Sequence, residues 1–350
     1  MSGSVLTPQF VVDLTTNITH IVETEYANVA ANLWWSKVAK LRISKSAKED
    51  INWLMSSASL DKYGSAPSVS YDDLTFLRTT YEPEYAGKGL KLKRADFEDL
   101  DGRGIESATA WAAQQGQLMA YHPQRLIGEL LRGGTASTCY DGQCYFSAAH
   151  PYHLYDSSRG TYANIFTGGA SGNYPGACRL DAGVTLETAF LNLSKAIAYV
   201  EEILMPDGKT PRNLKPVGLL VPPKMHVRAV QLSNSKLVPL TAGSGGGSAD
   251  MAAVIDSWGL APPIKAPELR SQTGYTSGDT TAYLLCKEAN STALGGLVYV
   301  EREPFQIVSY TGLNGQNVEL GRTQELEWLV NGRNVGGYGH PFTIFALPAS

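Results

Sequence analysis

Apolar residues recur at spacings of three and four along three stretches of the chain, a pattern typical of helices with one buried face. The first stretch runs from Ile18 to Leu33, and the third from Leu186 to Leu204. The second, at 105–132, is the most regular. Pro123 lies inside it and lacks a backbone donor, so the pattern predicts a kink or a second segment that begins at the proline.

Alternating apolar and polar positions on both sides of Pro83 predict a long two-stranded β-hairpin. Residues 74–79 alternate before the proline, and the leucines and lysines of 90–93 alternate after it. A two-stranded ribbon is only marginally stable in water, so it needs a partner surface. Further strands are predicted at 217–221, 281–286, 297–302 and 305–310, and a flexible glycine-rich loop at 241–250.

These elements predict a mixed α+β architecture with two appendages on a compact middle. The appendages are an N-terminal arm at 1–45 and the hairpin within 46–95. Neither has enough neighbouring sequence to cover its own apolar face. We therefore expect an obligate oligomer in which the arm and the hairpin at 69–94 carry the contacts between copies.

Composition and charge are those of an ordinary folded protein. Hydrophobic residues make up 43% of the 350 residues, charged residues 18%, and the formal net charge is −4. The chain therefore lacks the basic surplus of proteins that bind nucleic acid through phosphate contacts. A weakly acidic balance is compatible with a protein that encloses DNA without binding it tightly, and equally with most cytosolic proteins. With no signal sequence and no run of 18 apolar residues, we expect folding in a cytoplasm and no membrane contact.

The most suggestive chemical groups are Cys139, Cys144, His150 and His153, because both residue types bind zinc. The alternative interpretation is a loop that holds two buried thiols and two polar imidazoles. A third possibility is a cysteine–histidine nucleophile oriented by Asp141, although no family-type signature surrounds either cysteine.

Three other motifs lack residues that the corresponding sites require. The acidic run at 96–101 has no EF-hand spacing, Gly102-Arg103-Gly104 has no third glycine, and the loop at 243–248 has no phosphate-loop lysine. The sequence thus predicts no catalytic, cofactor-binding or metal-binding residue, and a protein that is not an enzyme.

Several strings resemble, in the same order, the major head subunit family of phage Mu and its prophage relatives. The most distinctive is Cys139 to Phe146 followed by His150-Pro151. The others are Lys93 to Asp99, His122 to Leu131, Leu214 to Pro216 with Val221-Pro222, Ala229, Leu232 and Asn234, and finally Asn331 to Arg333 with Gly336 to Gly339. They are collinear from about residue 50 to 345, whereas the first 50 residues match poorly, and Cys144 and His153 do not correspond to fixed family positions.

The resemblance implies the Hong Kong 97-type major capsid fold. Its parts would be an N-terminal arm at 1–45, an extended loop at 46–95, a peripheral domain at 96–180 with spine helix 105–132, an axial domain at 181–294, and strands at 295–350 that return to the peripheral domain.

By resemblance the chain is a major capsid protein that assembles through pentamers and hexamers into the icosahedral head of a tailed bacteriophage, in the cytoplasm of the host bacterium. Double-stranded DNA would lie near it non-specifically, and scaffold, portal and decoration proteins are further expected partners. The alternatives are an encapsulin-like compartment shell, distinguished by its contents, and a Cys/His or zinc-dependent hydrolase, distinguished by its small oligomers.

Overall fold

The computed structural model describes residues 8–54, 76–93, 103–234, 237–239, 248–250, 256–270, 280–288, 295–309 and 325–349. Its helices are α1 Pro8–Ala30, α2 Arg103–Gly133, α3 Leu186–Glu201 and α4 His226–Asn234. Its strands are β1 Ala39–Ile43, β2 Glu49–Leu54, β3 Phe76–Tyr81, β4 Glu84–Lys93, β5 His150–Pro151, β6 Thr161–Tyr162, β7 Leu214–Val221, β8 Leu237–Pro239, β9 Ser248–Asp250, β10 Ala261–Lys265, β11 Ala282–Glu288, β12 Leu297–Ser309, β13 Glu325–Tyr338 and β14 Ile344–Leu347. Within these residues, no helix combines the length and the apolar run that a membrane crossing requires.

Two four-stranded sheets form the framework. The first has the order β1-β12-β13-β4 and the second β10-β7-β11-β14, each with one parallel pair at an edge. The α+β prediction is confirmed, but the strands predicted at 297–302 and 305–310 are one strand, β12, whose pairing with β13 slips around Glu303. Most of the loop predicted at 241–250 lies outside the described residues, and its last three residues form β9, paired with β8.

The long helix α2 continues through Pro123, so the predicted restart at this proline is wrong. Packing on both sides of the helix outweighs the lost hydrogen bond. Ile127 and Leu131 are buried in the core that α2 shares with the second sheet. The Tyr338 and Tyr283 hydroxyls donate to the Leu130 and Leu131 carbonyls at 2.9 and 3.2 Å, which satisfies two acceptors at the helix end.

The arm helix α1 buries its apolar face within the same chain, so the expectation that the arm cannot cover itself is wrong. Val11, Leu14, Ile18 and Val22 are buried against α2 and β13. Close approach is possible because α2 presents small residues to α1, including Ala108, Ala112 and Gly116. The arm therefore does not support an obligate oligomer by itself.

Gly116 sets the distance between α1 and α2. A Cβ there would lie 2.5 Å from the Val22 carbonyl oxygen, which is backbone and cannot rotate away. We expect Gly116→Ala to lower the free energy of unfolding by about 1–3 kcal/mol, in spite of the roughly 1 kcal/mol that alanine gains over glycine within a helix. Urea unfolding followed by circular dichroism measures this. Gln114→Ala, at an exposed α2 position, is the control, and an equally stable Gly116→Ala would contradict the packing argument.

The prediction that the strands on either side of Pro83 pair with each other is also wrong. β3 pairs with β2, whereas β4 pairs over its whole length with β13 in the first sheet. Period-two patterning identifies the faces of a strand but not its partner, and the two residues between β3 and β4 take the chain from one sheet to another. The two-stranded ribbon of the structure is thus β2–β3, hereafter the ribbon. Residues 69–75, part of the predicted contact segment, lie outside the described residues.

Candidate functional site

The Cys139–His150 segment folds around a fully buried histidine. His150 Nδ1 lies 2.6 Å from Asp141 Oδ2, and Nε2 lies 3.1 Å from both the Tyr145 carbonyl oxygen and Asn164 Oδ1. The Asn164 amide is oriented by backbone groups, because its Nδ2 donates to the Tyr145 and Pro341 carbonyls while its Oδ1 accepts from the Ser147 N–H. Both ring nitrogens of His150 therefore lie within hydrogen-bond distance of oxygen atoms.

This arrangement is a buried, hydrogen-bonded pair of side chains rather than a reactive centre. The side chains of His150 and Asp141 are 0% and 3% exposed, so the pair is shielded from water. Such a buried pair is tolerated when both groups are hydrogen-bonded, as here. The pair joins the loop after α2 to Asn164 and to the turn at Pro341.

The zinc and nucleophile hypotheses lose their chemical basis. Neither nitrogen of His150 is left to bind a metal, and in the described part of the chain no three His, Cys, Asp or Glu side chains are grouped to hold one. Burial raises the pKa of Cys139 to about 12, so its thiol stays protonated and is a weak nucleophile. The Cys139 Sγ instead donates to the Gly339 carbonyl at 3.4 Å.

A column of aromatic rings connects the β2–β3 ribbon to the rest of the chain. Trp53 of β2 stacks on Tyr140 at 5.0 Å and meets His340 edge-on at 4.6 Å. His340 stacks on Phe342, and the Arg212 guanidinium lies 3.8 Å from the Phe342 ring centre. Burial, with a smaller contribution from the Arg212 charge, lowers the pKa of His340 to about 3, so this imidazole is neutral near pH 7. The column connects the ribbon, the His150 loop and the second sheet.

An open groove of about 440 Å³ lies between α2 and β4. Its walls include Tyr85, Leu118 and Tyr121, which are 68%, 52% and 45% exposed. Phe305 and Val330 line it as well. Large apolar side chains that stay exposed around one concave surface mark an interaction site more often than scattered ones do. We call this surface the α2–β4 groove.

The fold defines the class of the protein. The structure aligns with the capsid of Cyanophage P-SCSP1u with a TM-score of 0.51, 13% identity, and coverage of 89% of this chain and 86% of that chain. It aligns with the mature capsid of bacteriophage PhiM1 with a TM-score of 0.51, 12% identity, and coverage of 90% and 86%. The chain therefore has the Hong Kong 97-type capsid fold, and the predicted fold class is confirmed.

Within this class, residues 14–175 match the family model described as Mu-like prophage major head subunit gpT, which confirms the resemblance. The major capsid protein of Escherichia phage Mu is 31% identical over 106 residues, or 30% of this chain and 31% of that protein. The match to this curated relative thus spans about a third of its length. The family match begins at residue 14 and so includes most of the first 50 residues, whereas the strings beyond residue 175 lie outside it.

Proposed function

We propose that this chain is the major capsid protein of a tailed bacteriophage, which self-assembles into an icosahedral head around double-stranded DNA. The observation that carries the proposal is the family match over 14–175, on a chain with a capsid fold. We also propose the division into arm, extended loop, peripheral domain, axial domain and returning strands. Assembly in the host cytoplasm and contacts with scaffold, portal and decoration proteins belong to the same proposal.

The α2–β4 groove is the surface that we assign to contacts between copies. A single chain leaves Tyr85, Leu118 and Tyr121 in water, although their burial would contribute about 25 cal/mol per Å² of apolar area. Stable interfaces bury on the order of 1,000 Å² or more, so a neighbour that covers the groove would also contact surfaces beside it. With a net charge of −4, the chain is suited to lie near packaged DNA without sequence-specific contacts.

A charge in the groove should block assembly. The full chain, expressed alone, is expected to form large closed particles visible by negative-stain microscopy. Leu118→Glu should lower their yield by about tenfold or more and leave small folded oligomers, because burying a carboxylate where a neighbour would cover leucine opposes the contact. Deleting 69–94 is a poor alternative, since it removes β4 from the first sheet.

Leu191→Glu is a matched control, because Leu191 is also a helical leucine, 50% exposed against 52% for Leu118. Equal losses in the two variants would contradict the role of the groove. A wild-type chain that stays a small oligomer at high concentration would contradict the proposed function itself. Particles recovered from phage-producing cells should hold nuclease-protected double-stranded DNA, and enzyme cargo in its place would indicate a compartment shell.

A further inference from the structure

A second cavity, of about 490 Å³, lies where α3 ends, apart from the α2–β4 groove and the ring column. Three tyrosines, Tyr152, Tyr174 and Tyr199, line it together with Glu202. Apart from Ile203 and Leu204, its remaining lining is small or polar, so its distinctive residues are three tyrosines and one acidic residue.

Hydrogen bonds to the backbone fix the positions of two of these tyrosines in the cavity wall. The Tyr199 hydroxyl accepts from the Ala163 N–H at 2.8 Å, and the Tyr174 hydroxyl accepts from the Thr167 N–H at 2.6 Å. The Tyr174 and Tyr199 rings are nearly perpendicular, at 79° with centres 6.0 Å apart, and so form a corner. Because these two hydroxyls are already engaged with the backbone, the two rings offer a ligand mainly their π surfaces.

The Glu202 carboxylate lies at the end of a helix that does not favour a negative charge. Glu202 is the C-cap of α3, at the negative end of the helix dipole, and it follows another acid, Glu201. No basic residue lies in the last turn, and the ion pairs formed among the described residues do not include Glu202. A positive charge in the cavity would pair with the Glu202 carboxylate at this end of the helix.

We propose that this cavity binds an organic cation, an alkylammonium group held against the tyrosine rings and paired with Glu202. Aromatic faces attract ammonium groups through the ring quadrupole, and the carboxylate supplies the matching charge. The cation has two possible sources, a free polyamine or the lysine side chain of a neighbouring copy, and both present the same chemical group.

The binding test uses the purified full chain and does not depend on assembly. Choline is titrated by calorimetry against 3,3-dimethyl-1-butanol, which has the same shape without the charge. Choline should bind at least about tenfold more tightly, and Glu202→Gln should weaken it by about tenfold. Glu201→Gln is the matched control, because it removes the neighbouring charge without altering the lining of the cavity. Equal affinity for the neutral compound, or no effect of Glu202→Gln, would overturn the proposal.

A second measurement distinguishes the two sources. If a neighbouring lysine fills the cavity, Glu202→Gln should reduce particle yield, and Glu201→Gln should not. If a free polyamine fills it, particle yield should be unchanged, and Glu202→Gln particles should lose the spermidine that wild-type particles retain. A variant that changes neither yield nor spermidine retention would overturn the proposal even where choline binds.

Discussion

Asp141→Asn is expected to lower the free energy of unfolding by about 2–3 kcal/mol, because it disrupts the fully buried 2.6 Å hydrogen bond between the Asp141 carboxyl and His150 Nδ1. The substitution is nearly isosteric and removes little besides the charge. Asparagine can still accept the Gln143 N–H, which lies 3.0 Å from Asp141 Oδ1, so the local turn is retained. Urea unfolding of the unassembled full chain measures the effect.

Asp156→Asn is the matched control for this experiment. Asp156 also accepts a backbone N–H two residues ahead, from Ser158 at 3.1 Å, and it pairs with Arg159 at 2.9 Å, but its side chain is 40% exposed. Water screens an exposed pair, so we expect a loss below about 1 kcal/mol. Similar losses in both variants would show that the turn, and not the buried pair, carries the stability.

The buried Asp141–His150 pair gives a physical reason why the Cys139–His150 string is the most distinctive part of the resemblance. Asp141, Tyr145 and His150 all belong to one hydrogen-bonded network. Its fourth member, Asn164, carries no signal in the sequence, because it lies in an aperiodic loop. Sequence reasoning thus singled out this histidine and this acid as candidate groups and predicted neither a metal site nor a catalytic one, but it could not predict their buried pairing, because burial cannot be inferred from spacing.

Some features of the fold follow from local sequence patterns, and others depend on tertiary contacts. Apolar periodicity predicted α1, α2 and α3, since each helix presents one stripe to a core. It did not predict that α1 docks on α2, which depends on the close approach at Gly116, nor that β4 pairs with β13 across more than 230 residues. The cavity tyrosines at 152, 174 and 199 are too scattered to form a motif, and they meet only in the folded chain.

His340→Phe is expected to make the chain less sensitive to acid. The pKa of His340 is lowered to about 3 in the folded chain, against about 6.5 for an unperturbed histidine. As the pH falls below 6.5, the histidine binds a proton in the unfolded chain, whereas in the folded chain it does so only near pH 3. Between these two pH values, His340 therefore lowers the free energy of unfolding by at most about 1.4 kcal/mol per pH unit.

Phenylalanine keeps the ring stacking on Phe342 at 4.6 Å and the contact with Trp53, but it does not titrate. The variant loses the contact between His340 Nδ1 and the Tyr140 hydroxyl at 3.4 Å, so it should be less stable at pH 7 by about 1 kcal/mol. From pH 7 to pH 4, however, the variant should lose about 3 kcal/mol less stability than the wild-type chain. Carboxylates such as Glu49 and Asp181, whose pKa values are lowered by hydrogen bonds from Arg42 and Arg179, destabilise both proteins in acid, so only the difference between them reports His340. Parallel curves of stability against pH would contradict the assignment. His340 also contacts Trp53 of the ribbon. If protonation of His340 destabilises the wild-type chain in acid, the ribbon should therefore detach first. Hydrogen exchange should then become faster in β2 and β3 than in β13.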